Sequence, residues 1–242
     1  MTISVVLPCF NEEANIGNTI KDVSSWMQHA SMEGEIIVVN DGSRDGTAAL
    51  LEHLRESMPM LRIVHHEKNQ GYGVAVRSGC DASTKDIIVF MDSDGQFHAE
   101  DIALLLASID QFEVVTGRRR HRADSFVRNT YGKVLGLLNL AVFGLWVRDV
   151  NCGLKAFRKS TWPKIRPVHG VEKLFNTELF MRLKQQGIPW ATIDVPHYPR
   201  TAGAQTGGSP RVILRMFREL FALKRSLRHI EPVVAMQLGD SI

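Results

Sequence analysis

The sequence has little of several things, and each shortage removes a class of protein. Only three of its 242 residues are cysteine, at 9, 80 and 152. An odd number cannot all pair and the spacing is not that of a metal cluster, so free thiols in a reducing compartment are expected and a disulfide scaffold is excluded. Nine prolines and 19 glycines in no repeating pattern exclude a collagen-like chain, and 44% hydrophobic residues are too many for disorder. No apolar run reaches the roughly 20 residues that a bilayer span needs. The longest, Val134 to Val147, is broken by Asn139 and flanked by Lys133 and Arg148. Met1 to Ser4 runs straight into a strand-like segment, so no leader peptide is expected. The charge excess is small, +3. What is left is a soluble or peripheral chain, long enough for one domain with a large core or for two small ones.

What is there is an alternation. Short β-branched runs occur at Ile3–Leu7, Glu35–Asn40, Leu61–His66, Asp86–Met91 and Glu113–Thr116. Helical periodicity lies between them, at Ala14–Ala30, Asp45–Ser57, Tyr72–Ala82 and Ala99–Ile109. That order predicts an α/β fold with a mostly parallel sheet and helices on both faces. The rhythm is lost after Gly117. Arg118 to Arg122 is basic, Phe126 to Val147 is apolar and helix-like, and Leu154–Phe157 reads as a strand. A helix at Lys173–Gln186, a strand at Thr192–Val195, a glycine-rich loop at Gly203–Gly208 and an amphipathic helix at Pro210–Arg228 follow. One domain over residues 1–229 is expected, with a ligand-binding half to 117, an acceptor-shaping half from 118, and a tail over 230–242.

Ligands of an open parallel sheet bind at the carboxyl ends of its strands. Three polar segments fall there: Pro8 to Glu13, Asn40 to Ser43, and Asp92 to Gln96. In the last, Asp92 and Asp94 leave an apolar strand two residues apart. Carboxylates that close repel each other when buried, and a divalent cation is an inexpensive way to keep both ionised. Oxygen ligands favour Mg2+ or Mn2+, completed by substrate phosphates and water. Each piece also has a plain reading. Paired aspartates cap helices, Asp41-Gly42-Ser43 makes a turn and N-cap, and Asn69-Gln70-Gly71 opens a helix. Their order, each at the end of a successive strand, favours a site.

Four motifs in register carry a resemblance: Val5 to Glu13, Val38 to Thr47, Asn69-Gln70-Gly71, and Phe90 to Asp94. With them the chain resembles the family 2 glycosyltransferases of the GT-A fold. Asp94-Gly95-Gln96, Gly117-Arg118-Arg119, Arg128, Asn151 to Arg158 and Arg200 make it most similar to the dolichyl- and polyprenyl-phosphate sugar synthases. The resemblance implies that Asp41 meets the nucleotide base, with Pro8, Asn11, Glu12, Gly71 and Ser93 around the donor. It implies that Asp92 faces the nucleoside and sugar, that Asp94 and Gln96 hold the metal, and that Arg118, Arg128 and Arg200 grip phosphate, chiefly the acceptor's. Asp92, Asp94 and Arg128 are then the catalytic set. Phe97-His98-Ala99 departs from the family's usual His-Pro-Pro, so His98 receives no role. Glu178, in Phe175-Asn176-Thr177-Glu178, matches many members but not the archaeal mannosyl-phosphate synthases, and the donor stays open between GDP-mannose and UDP-sugars.

A phosphate acceptor is already an anion and needs no general base, only positioning and charge neutralisation. Arginine suits that task. Two basic clusters are present: Arg118, Arg119, Arg120, Arg122, Arg128 and Lys133 against Asp124, and Arg200, Arg211, Arg215, Arg218, Lys224, Arg225 and Arg228 against Glu219. No nucleic-acid motif accompanies them. The expectation is inverting, metal-dependent hexose transfer to a polyprenyl or dolichyl phosphate, at the cytoplasmic face of a membrane. Leu135, Leu138, Val142, Phe143 and Trp146 would lie toward lipid, unless that segment is a core helix or a dimer contact. The Gly203–Gly208 loop reads as a lid over the acceptor phosphate or as a static surface loop. A homo-oligomer or a membrane anchor subunit is left open. The alternatives are a hydroxyl acceptor with Glu178 or Asp149 as base, a D-x-D-G phosphatase, and a donor-binding module without turnover.

Overall fold

A computed structural model describes residues 1–120, 136–137, 140–171, 174–200 and 223–225. Strands β1 (Ile3–Cys9), β2 (Gly34–Asn40) and β4 (Ile87–Met91) are almost entirely buried, because aliphatic residues occupy both faces. With β3 (Leu61–His65), β5 (Val114–Arg119), β6 (Leu154–Arg158) and β7 (Trp190–Val195) they form one sheet in the order β3-β2-β1-β4-β6-β5-β7. β1 pairs in parallel with β2 and β4, β2 with β3, and β5 with β7. The expected alternation accounts for that part. β6 departs from it, lying antiparallel between β4 and β5. Its start is tied to the carboxyl end of β4, where the Asp92 amide donates to the Gly153 carbonyl at 2.9 Å. A chain that enters at that edge can only run back against its neighbours.

Side-chain alternation along the strands sorts the core into two layers. Val5, Leu7, Ile36, Val38, Val89 and Met91 meet helix α1 (Ile16–His29), α2 (Thr47–Ser57) and α4 (Asp101–Leu106) on one face. Val6, Ile37, Val39, Ile88 and Phe90 meet α3 (Tyr72–Ala82) and α6 (Leu174–Gln185) on the other. α1 shows how the sequence does this: Ile16, Thr19, Ile20, Val23, Ser24 and Met27 are its buried residues, three or four apart. A 3-10 turn (Lys159–Thr161) and a short α5 (Trp162–Ile165) follow β6, where no helix was expected. Position 117, the expected line between the halves, falls inside β5.

Residues 140–143 are helical, and the helix ends where Gly144 takes a positive φ of 59° and donates to the Leu140 carbonyl. The helix expected to reach Val147 therefore stops at Phe143. Val142 and Phe143 pack toward Leu174 rather than outward, which corrects the lipid-facing assignment for both. Their side of the helix is needed to cover the start of α6. Leu137, Leu140 and Trp146 are exposed. Leu135, Leu138, the Gly203–Gly208 loop and nearly all of the Pro210–Arg228 helix lie outside the described residues. No described helix is long and apolar enough to cross a membrane. Cys9, Cys80 and Cys152 are free and buried, as expected.

Candidate active site

The loops after β1 and β2 are stitched together. The Asn11 amide donates to Ser43 Oγ at 2.9 Å, and Asn11 Oδ1 accepts from the Arg44 amide at 2.8 Å. Asn11 itself has a φ of 54°, a conformation asparagine tolerates better than most residues. Asp41 is buried, and its carboxylate accepts from the Gln70 and Gly71 amides at 2.9 and 2.8 Å. His66 Nδ1 lies 2.7 Å from the same carboxylate, with its Nε2 2.9 Å from Ser78 Oγ. Asp41 thus holds the turn that carries Gly71, a task invisible in the sequence. Ser93 Oγ donates to the Pro8 carbonyl at 2.7 Å, which joins the ends of β1 and β4.

Asp92 sits at the centre of this edge. Its Oδ1 has no hydrogen-bond partner among the described residues. The Tyr72 phenol favours the charged form of its carboxyl, and Gly153 lies so close that a Cβ there would sit 1.9 Å from Oδ2. Burial, with the Asp94 charge added, pushes the Asp92 carboxyl up to about 6, against the opposing pull of Tyr72, Arg119 and Lys155. Lys155 is fully buried between the Phe90 and Phe180 rings, 5.2 and 5.6 Å from their centroids, and donates to the Val150 and Cys152 carbonyls. Burial draws its ammonium down to about 8. Arg119 grips Asp149 with two nitrogens at 2.8 and 2.7 Å, both side chains buried. Lysine and arginine together fix the 149–153 turn that walls Asp92.

Asp94 and Glu12 share a cation of the protein's own. Arg200 Nη2 meets Glu12 Oε1, and Arg200 Nη1 lies 3.3 Å from Asp94 Oδ2. Burial raises the Glu12 carboxyl, with Asn15 and Arg200 opposing. The approach of Arg200 is fixed by a zipper between two segments. The Tyr198 amide donates to the Gln96 carbonyl at 3.1 Å and Gln96 Nε2 donates to the Tyr198 carbonyl at 3.2 Å. His98 and Tyr198 pack edge to face at 4.2 Å, so His98 has a packing role. Among the described residues no group of three or more His, Cys, Asp or Glu side chains could hold a metal. The residues nonetheless fit a divalent cation that shares its shell with a diphosphate: an orphaned buried Asp92 oxygen and a second carboxylate, that of Asp94, already drawing a cation.

The remaining assigned residues are divided. Arg118 is half-exposed and forks onto Asp194 of β7 through Nε and Nη2. Its described contacts do not bring it to Arg200. Arg128 lies outside the described residues. Glu178 is fully buried and accepts four hydrogen bonds, from the Val168, His169 and Gly170 amides at 2.7–2.8 Å and from Arg182 Nε at 2.9 Å. Tyr72, Gly153, Lys155 and Asn176 were missed by sequence reasoning as parts of the site. Gly153 and Lys155 had a signal in the Asn151 to Arg158 motif, and Asn176 had one in the Phe175 to Glu178 segment.

The sequence matches the family model described as Glycosyl transferase family 2 over residues 4–183. A dolichyl-phosphate beta-glucosyltransferase from Trichomonas vaginalis is 28% identical over 208 residues, covering 78% of this chain and 62% of that protein. An undecaprenyl-phosphate 4-deoxy-4-formamido-L-arabinose transferase from Proteus mirabilis is 31% identical over 160 residues, covering 65% of this chain and 49% of that one. The chain therefore spans less than two thirds of either relative. Among solved structures, glucosyl-3-phosphoglycerate synthase from Mycobacterium tuberculosis, in complex with Mn2+, uridine diphosphate and phosphoglyceric acid, superposes with a TM-score of 0.70 at 23% identity, over 95% of this chain and 79% of that chain. Mannosyl-3-phosphoglycerate synthase from Rubrobacter xylanophilus gives 0.69 at 18%, over 94% and 74%. At these identities the structural likeness establishes the fold.

Proposed function

Because the chain belongs to glycosyl transferase family 2, we propose that it moves a hexose from a nucleoside diphosphate sugar to the phosphate of a polyprenyl lipid. One observation carries the choice of acceptor: the two carboxylates that the sequence offers as base for a hydroxyl acceptor are both spent. Glu178 is saturated by four donors and Asp149 is clamped by Arg119. An anionic phosphate oxygen needs no proton removed. The names of the relatives, two polyprenyl-phosphate sugar transferases, support the same choice.

In this reading the donor lies across the ends of β1, β2 and β4. Pro8, Asn11, Glu12, Asp41 and Gly71 line the nucleoside end, and Asp92 with Ser93 faces the sugar. Asp94 and Gln96 would hold Mg2+ or Mn2+, whose chemistry there is to neutralise charge building on the departing diphosphate. Arg200, with Arg118 and Arg128, delivers the acceptor phosphate. Its oxygen bonds to the anomeric carbon as the bond to the diphosphate breaks, and the configuration inverts. Residues 1–117 serve mainly the donor and 118–229 mainly the acceptor, at the cytoplasmic membrane surface.

The test is a panel of UDP-glucose, UDP-N-acetylhexosamine and GDP-mannose, each with Mg2+ or Mn2+. The acceptors are a short polyprenyl phosphate and 3-phosphoglycerate, the latter because a structural neighbour binds phosphoglyceric acid. Lipid-linked sugar is the expected product. Transfer to phosphoglycerate alone overturns the lipid acceptor, and release of free sugar alone overturns transfer.

A further inference from the structure

Two buried hydrogen-bond acceptors at this edge have no partner among the described residues: Asp92 Oδ1 and Asn176 Oδ1. Asp92 has an assigned task. Asn176 has none. It is 2% exposed, in the first turn of α6, and its one described side-chain contact is Nδ2 to Asn151 Oδ1 at 3.4 Å, the outer limit of a hydrogen bond. A buried amide held so loosely is costly, and proteins seldom leave one unpaired without a reason. Turning the amide over would only exchange an unpaired carbonyl for an unpaired amino group.

One chain of contacts leads from Asn176 toward Asp92, and its chain neighbour Phe175 leads there by a second route. Through Asn151, Asn176 faces the turn whose Gly153 lies against the Asp92 carboxylate. Next to it in the chain, the Phe175 ring packs edge to face on Tyr72 at 6.4 Å, and the Tyr72 phenol favours the charged form of Asp92. Asn176 is also rigidly mounted. Phe175, Thr177 and Glu178 on either side of it are fully buried, and Glu178 ties three amides of the preceding loop to α6. A fixed polar group with unspent hydrogen-bonding capacity, one turn removed from the carboxylate proposed to face the sugar, is what recognition of a polyol requires.

We infer that Asn176 is a specificity-determining residue that hydrogen-bonds a hydroxyl of the donor's sugar ring. The inference rests on the nucleotide-sugar reading above and extends it to a residue of α6. Asn176 then contributes to binding of the nucleotide sugar and contributes nothing to binding of the nucleotide alone.

Binding by isothermal titration, with Mn2+ present, tests it without turnover. The ligands are UDP with UDP-glucose and GDP with GDP-mannose, using whichever pair the wild-type chain binds. In Asn176→Ala the Kd of the nucleotide should stay within about twofold, while the Kd of the nucleotide sugar rises roughly tenfold or more. Parallel loss of both ligands, or no change in either, overturns the inference. A monodeoxy series of the sugar keeps the test independent of how the variant folds. One hydroxyl should cost wild-type binding about as much as Asn176→Ala does, and its removal should cost that variant little more. If no deoxy position weakens wild-type binding more than about twofold, Asn176 reads no hydroxyl. A wild-type chain that binds neither pair overturns the nucleotide-sugar reading itself, a result distinct from a bound donor indifferent to Asn176.

Discussion

Arg200 Nη1 lies 3.3 Å from Asp94 Oδ2, so the carboxylate assigned to a metal already has a cation beside it. The same guanidinium reaches Glu12. Arginine and a divalent ion compete for one local negative potential. In Arg200→Gln the affinity for Mn2+ without nucleotide should rise several-fold, read by the free Mn2+ signal in electron paramagnetic resonance. Transfer to polyprenyl phosphate should fall, because the acceptor's grip is gone. Weaker Mn2+ binding would mean that Arg200 supports the metal site instead of contending for it.

Asp92 is held well above an ordinary aspartate, at about 6, chiefly by burial. The native state therefore binds this proton more tightly than the unfolded chain, whose aspartates titrate near 3.9. Stability should fall as pH climbs from about 4 to about 6, with the full penalty standing above that. Asp92→Asn removes the charge and keeps the shape. At pH 7.5 it should gain on the order of 2 kcal/mol, a rise of several degrees in Tm that vanishes near pH 4. Turnover should drop by at least two orders of magnitude. A variant less stable at pH 7.5 would show that the ionised carboxylate is well solvated.

Glu178→Gln separates a structural carboxylate from a base. Two of its four donors would face an amide NH2, and the cost should be about 2–4 kcal/mol, visible as a lowered Tm. At a temperature where the variant is folded, kcat should remain within about tenfold of wild type. A loss of several orders of magnitude, with normal donor binding, would restore the hydroxyl-acceptor reading.

Gly153→Ala places a methyl carbon 1.9 Å from Asp92 Oδ2 and 2.2 Å from its Cγ. Either the turn or the carboxylate must shift. The expected result is a fall in kcat of about a hundredfold, since misplacement by about 1 Å is enough, with circular dichroism unchanged. An unaltered kcat would mean that the position of Asp92 is not critical.

Much of the donor edge was legible because it is local. Strand β1, helix α3 and the polar segments after β1, β2 and β4 are each written in a few consecutive residues, by alternation, periodicity or turn chemistry. The direction of β6 was not, because Leu154–Arg158 reads the same whichever way its neighbours run. Asp41 looked like a residue for a base and proves also to be a strut, since its partners His66, Gln70 and Gly71 are distant in sequence. Phe143 looked lipid-facing until Leu174 supplied a surface for it. Asn176 drew no notice beside the charged Glu178, because an unpaired amide is a property of surroundings and leaves no mark in composition.

The backward-running β6 also bears on how the chain is made. As synthesis proceeds, β1 to β4 can assemble early, but one edge of β4 stays open until the ribosome has delivered Leu154–Arg158. An open, wholly apolar strand is a template for intermolecular pairing. A nascent or truncated chain ending before Leu154 should thus be prone to aggregate. The motif that closes the edge also brings Gly153 to Asp92, so the candidate site and a sealed sheet arrive in the same event.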